Sequence, residues 1–404
     1  MKNIFFLIVV VVLNSCKTET QHLEEGSYRA VLKVNDTLEL PFNFDVLSSN
    51  TINIYNADEI IKVDEIEYKN DSVYIKLPVF EGFITAKIDN KQNLKGFFKK
   101  EMLNRAMFFK AEFNNKERFK VYKESTAVDV SGNWETVFSP NSKEDTYIAK
   151  GTFSQMGSKV IGTFRTTTGD YRFLEGVLDG KNLKLSTFDG AHAFLFNAKV
   201  ADSTMKGMFY SENHWQEPFT AKRNDDFELP DANNLTFLKE GFDSVNFSFP
   251  DESGATISLE DARFQNKVVL VQIMGTWCPN CLDESKFYSE FYKNNHDKGI
   301  EIVALAFEYA KTPEIAFKNI KRLKANTGIS YSVLLAQYGS SSKLQAQEKL
   351  PMLNHVLSYP TTIYIDKTGK VRKIHTGFNG PATGEKYTEF IAEFNQFVND
   401  LLLE

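Results

Sequence analysis

Cysteine is scarce in this chain: there are three in 404 residues, and two of them, Cys278 and Cys281, lie three apart. That scarcity excludes a disulfide-scaffolded secreted fold, which spaces many half-cystines along a short sequence. No second cysteine pair and no His-x-x-x-His accompanies them, so the ligand set of a tetrahedral structural zinc site is missing too. No block of Lys and Arg stands out against a formal net charge of −6, which argues against nucleic acid as a partner. Long amphipathic helical patterns are absent between Ser27 and Arg223. The apolar run near the start, Ile4 to Leu13, is too short to span a bilayer.

What is present centres on Lys267 to Cys281. Val268 to Ile273 is almost wholly apolar and rich in β-branched residues, which predicts a strand buried on both faces of a mainly parallel sheet. Trp277-Cys278-Pro279-Asn280-Cys281 follows, and then a helical pattern in which Leu282, Phe287, Tyr288 and Phe291 share an apolar side. Two cysteines therefore stand on the first turn of a helix. Unpaired N–H groups and the positive end of the helix dipole stabilise a thiolate there, so Cys278 is the expected nucleophile. Cys281, one turn further in, is the expected resolving thiol, and Pro279 fits a first turn where no amide donor is missed.

These residues resemble the thioredoxin active site, and residues 240–404 as a whole resemble the TlpA/ResA group of membrane-tethered, extracytoplasmic thiol-disulfide oxidoreductases. Tyr359-Pro360-Thr361-Thr362 is similar to that group's cis-proline segment, Ile300 to Phe307 to its second central strand, and Glu284 to a glutamate three residues beyond its second cysteine. The resemblance implies a reductase that exchanges disulfides with protein substrates and is recharged by a membrane electron-relay protein. Cytochrome c maturation or thiol repair are the settings it suggests. No cofactor and no metal are expected. Pro360 is expected in the cis form beside Cys278, with Trp277, Pro279, Tyr359 and Thr361 lining the substrate surface. Gln272 stands where thioredoxin keeps a buried acid, and Glu284, at i+3 from Cys281, is the candidate base for the resolving thiol.

The N-terminus reads as a secretion signal over residues 1–15, and Leu13-Asn14-Ser15-Cys16 resembles a bacterial lipobox. Lipidation of Cys16 would leave residues 16–26 as a tether and one thiol pair in the mature chain. The expected address is the cell envelope, facing the periplasm. Lys17 gives no reason for inner-membrane retention, so the outer membrane is the preferred anchor.

From Ser27 to Arg223 short segments of period two alternate with Asn-Asp, Asp-Gly and Gly-Lys turns, the pattern of antiparallel β structure. Gly26-Ser27-Tyr28 lines up with Gly132-Asn133-Trp134, and Lys95-Gly96-Phe97-Phe98 with Lys206-Gly207-Met208-Phe209, a repeat of about 106 to 111 residues. The chain is thus expected to be multidomain. β modules of about eight strands each, over 27–126 and 127–223, form barrels or one sandwich; a linker over 224–239 joins them to an α/β thioredoxin-like domain over 240–404. In that domain a hairpin over Val245–Phe249 and Ala255–Leu259 and a mostly helical Ser341–Leu357, interrupted at Pro351, are expected.

Rival readings are weaker. A thiol peroxidase would want Pro-x-x-x-Thr-x-x-Cys, which Met274-Gly275-Thr276-Trp277 does not supply. A copper-delivery protein would add His355 or His375 to the cysteines. A surface-anchored binding lipoprotein would work through the β modules alone.

Overall fold

The computed structural model describes residues 20–123 and 128–404. The expected leader and Cys16 lie outside the described residues.

Each β module is an antiparallel meander whose first and last strands pair. In the first, Gly26–Lys33 pairs with Arg105–Phe113; in the second, Gly132–Phe138 pairs with Trp215–Arg223. Nine strands are present in each among the described residues, one more than expected. Strict alternation builds them: Thr51–Asn56 buries every second residue. The repeated Lys-Gly-x-Phe motif has a steric cause, since a Cβ on Gly96 would lie 1.9 Å from Thr85 O and one on Gly207 2.5 Å from Asn197 O.

Closure differs between the two. Tyr147–Met156 pairs with both Gly132–Phe138 and Lys159–Thr166, so the second module closes as a barrel. In the first, Glu59–Val63 and Glu65–Lys69 stand at opposite ends of the strand order, and the ladder stays open. Phe188 of the second module stacks on Phe42 of the first, with ring centroids 4.3 Å apart.

The C-terminal domain carries a five-stranded mixed sheet. Its strands are β1 (Val268–Met274), β2 (Ile300–Phe307), β3 (Ser332–Gln337), β4 (Thr361–Ile365) and β5 (Val371–Thr376), in the order β3-β2-β1-β4-β5. β1 is central and buried along its whole length, as its unbroken apolar run requires. It runs parallel to β2 and antiparallel to β4. The helices are α1 (Pro279–Asn295), α2 (Pro313–Thr327), α3 (Lys343–Lys349) and α4 (Glu385–Leu403). Phe287 and Phe291 of α1 meet the Phe394 ring of α4 at 4.9 and 4.8 Å, so these helices pack together over the sheet.

Two local expectations need correction. The leading hairpin is shorter than expected, Ser248–Pro250 against Thr256–Ser258. Helix is confined to Lys343–Lys349 of the expected Ser341–Leu357 stretch. Pro351 disfavours helical backbone before it, and beyond it the linker takes the backbone groups: Lys239 N donates to Met352 O at 2.8 Å and Asn354 N to Phe237 O at 2.9 Å.

Candidate active site

Cys278 is the N-cap of α1, with an extended backbone at φ −99° and ψ 115° and Pro279 in the first turn. Its sulfur accepts from Cys281 N at 3.2 Å, so the side chain fills the capping place usually taken by an oxygen. The thiol points at Tyr359 O, 3.4 Å away, and the Tyr359–Pro360 bond is cis. Both cysteines are free. Cys278 keeps 7% of its surface exposed while Cys281 has none, so a substrate can reach only the outer sulfur. Burial first, and the adjoining Cys278 second, push the Cys281 thiol well above its ordinary range.

Trp277 is half-buried, held by its Nε1 donating to Phe307 O at 2.9 Å and by an edge-to-face contact with Tyr359. Gly275 makes room for it, since a Cβ there would meet Trp277 Nε1 at 2.4 Å. Thr361 departs from expectation. It is fully buried with its hydroxyl on Ser358 O at 2.9 Å, because it opens β4 on an inward position, so it lines no surface. Pro279 and Pro360 are buried as well. Pro279 still lines the cleft, together with Cys278, the half-buried Trp277 and Tyr359.

Glu284 is fully buried beneath the cysteines. Its carboxylate accepts from Gln272 Nε2 at 2.8 Å, Thr362 Oγ1 at 3.0 Å and Tyr288 OH at 3.4 Å. Gln272 of β1 thus orients an acid supplied by α1. Burial pushes that carboxyl up to about 7, and its hydrogen bonds offset only part of the effect.

Glu308 and Lys343 were not singled out from the sequence. Glu308 follows β2, is fully buried, and accepts from both Thr276 N and Thr276 Oγ1 at 2.7 Å, which fixes the turn that presents Trp277. Burial raises it to about 7 as well. Its place at the carboxyl end of a central strand, where open α/β sheets put their sites, was the available signal. Lys343, at the start of α3, lines the same cleft as Cys278. The protein around it lowers its pKa while Cys278 acts to raise it. His375 is buried with Nδ1 3.0 Å from Asn233 Oδ1 of the linker, and burial lowers it to about 4. Among the described residues no cluster of three or more His, Cys, Asp or Glu is placed to hold a metal.

A helix-capping dithiol above a buried carboxyl on this sheet defines a thioredoxin-like oxidoreductase. The Redoxin family model matches residues 239–390, leaving the β modules outside it. Thiol-disulfide oxidoreductase ResA of Bacillus subtilis (strain 168) is 32% identical over 140 residues, 35% of this chain and 69% of that protein. Thiol-disulfide oxidoreductase ResA of Bacillus thuringiensis subsp. konkukian (strain 97-27) is 30% identical over 154 residues, covering 38% and 78%. A solved thiol-disulfide oxidoreductase from Bacteroides fragilis NCTC 9343 is 25% identical, covers 37% of this chain and 99% of that one, and superposes with a TM-score of 0.27. The chain belongs to the ResA-type family of thioredoxin-like thiol-disulfide oxidoreductases.

Proposed function

We propose that this chain is an extracytoplasmic protein-disulfide reductase working through Cys278 and Cys281, anchored by a lipid on Cys16 and facing the periplasm. The observation that carries the reading is the sulfur of Cys278, which takes a hydrogen bond from Cys281 N at 3.2 Å at the mouth of α1 and is the only cysteine sulfur of the pair open to a cleft.

The Cys278 thiolate attacks a substrate disulfide, forming a mixed disulfide and releasing one substrate thiolate, which takes a proton from water. Glu284, ionised above about pH 7 and buried near Cys281, is the acceptor for the Cys281 proton. The Cys281 thiolate then attacks Cys278. The mixed disulfide breaks, the second substrate thiol leaves, and the enzyme is left as the Cys278–Cys281 disulfide. Two electrons have passed to the substrate, and a membrane relay dithiol restores them. Cytochrome c maturation is one setting that would use such a reductase.

Reduction of insulin by the full chain, with Cys278→Ser as control, tests the chemistry. Activity lost with serine supports it, whereas equal activity in both forms overturns it. A Cys281→Ala variant in its native envelope is expected to trap mixed disulfides with its substrates.

A further inference from the structure

The second β module reaches into the redox site, and neither the family nor the proposed chemistry calls for that contact. The turn after Lys159–Thr166 lies across the two segments that flank Cys278. Thr168 O accepts from Ser358 Oγ at 2.7 Å, two residues before Pro360. Asp170 O accepts from Asn280 Nδ2, inside the Cys-x-x-Cys motif, at 3.3 Å, and Asp170 Oδ2 accepts from Gly380 N at 2.9 Å. The approach is too close for side chains: a Cβ on Gly169 would stand 2.2 Å from Asn280 Nδ2, and one on Gly377 3.0 Å from Thr168 C. Arg172 locks the turn in place. It is buried with 3% exposure and pairs with Asp283 of α1, with Asp189 of its own module and, at 2.6 Å, with Glu59 of the first module.

The result is a strap over one end of the site. Cys278 opens into a cleft of about 750 Å³ bounded by Thr166–Tyr171 on the module side and by Lys343 and Leu357–Tyr359 on the other. A volume of that order holds a ligand or a few residues of chain. A rigid protein face needs about 800 Å² of its own surface in contact, and the strap stands in its way.

We propose that this strap sets substrate class: the site accepts a disulfide carried on a flexible, extended peptide segment and discriminates against one fixed on a folded surface. The proposal rests on the assignment of Cys278 as the nucleophile. The test uses the full chain and three probes: glutathione disulfide, a linear decapeptide carrying cysteine as its glutathione mixed disulfide, and a folded helical-bundle domain carrying the same mixed disulfide on an exposed helix.

The wild-type chain should reduce the decapeptide at least a hundredfold faster in kcat/KM than the folded domain. Deleting Thr167 and Thr168 should cut that preference tenfold or more. Thr167→Trp, which narrows the cleft and keeps the turn, should lower decapeptide reduction about tenfold relative to glutathione disulfide and decides the matter if the deletion does not fold. Preferences unmoved in the variants that fold would overturn the strap's role. Failure of the wild-type chain to reduce any of the three probes would instead remove the nucleophile assignment.

Discussion

The β region and the redox domain bury charge in opposite ways. Between the modules and α1, Arg172 sits among Glu59, Asp189 and Asp283, so its charge is matched within the protein. Burial alone would lower its pKa, but Glu59 and Asp189, with Asp170, raise it instead. In the redox domain Glu284 and Glu308 have only neutral hydrogen-bond donors, and burial pushes both up to about 7. A paired buried charge stays fixed and joins parts of the fold. An unpaired buried acid sits near neutral pH, where it can take up or give up a proton. The first arrangement holds the strap, and the second leaves acids that can exchange a proton near neutral pH.

Arg172→Met breaks the comparison at its strongest point. Removing one partner of a buried charged cluster costs about 3–5 kcal/mol, because the remaining carboxylates lose their counter-charge. Urea unfolding at pH 7 should show a loss of that size. A change below about 1 kcal/mol would mean that the cluster does not join the domains.

Glu284→Gln sharpens it. In the unfolded chain each of these carboxyls loses its proton near its ordinary value of 4.5, whereas in the folded chain it keeps it to about 7. Between those values the folded state binds more protons, so stability falls as pH rises from 4.5 to 7 and then levels off. Each acid accounts for a fall of about 3 kcal/mol across that window. The glutamine variant should therefore lose about half of the combined fall and be the more stable protein at pH 8. It should also lose the rise in disulfide reduction through pH 7. A retained rise would take the role of base away from Glu284.

Glu308→Gln is the matching control. It should flatten the stability curve by a similar amount, since the same burial raises it. The pH profile of thiol-disulfide exchange should keep its rise, with kcat/KM lowered about tenfold or less through the Thr276 turn. Loss of the rise in this variant and not in Glu284→Gln would reverse the assignment.

Much of the redox domain was legible in the sequence because its signals are local. The apolar run of β1 and the cysteine spacing at the start of α1 each specify an element within a few residues. Period-two alternation likewise announced the β modules, and the Lys-Gly-x-Phe repeat announced their duplication. What escaped depends on contacts between distant segments. Thr361 reads as a surface residue until β4 is placed in the sheet. The break at Pro351 was legible, but helix does not resume toward Leu357 because Phe237 and Lys239, more than a hundred residues earlier, bond to the backbone there. The strap is the extreme case: nothing in Thr166–Arg172 refers to a cysteine more than a hundred residues away.

Lys343 offers the finest test, because it is the cation facing the cleft and has no carboxylate partner among the ion pairs of the described residues. Its exposure weakens the interaction. At an effective dielectric between those of protein surface and water, a charge several ångströms from a thiolate contributes on the order of 1 kcal/mol. Lys343→Met should therefore slow alkylation of Cys278 by iodoacetamide at pH 7 about fivefold in low salt and less in high salt, where screening has already weakened the pair. Stability should stay within about 0.5 kcal/mol, as for other surface changes. An alkylation rate that is unchanged in low salt would mean that Lys343 does not act on the Cys278 sulfur, and would draw the contrast with the paired charges around Arg172 more sharply.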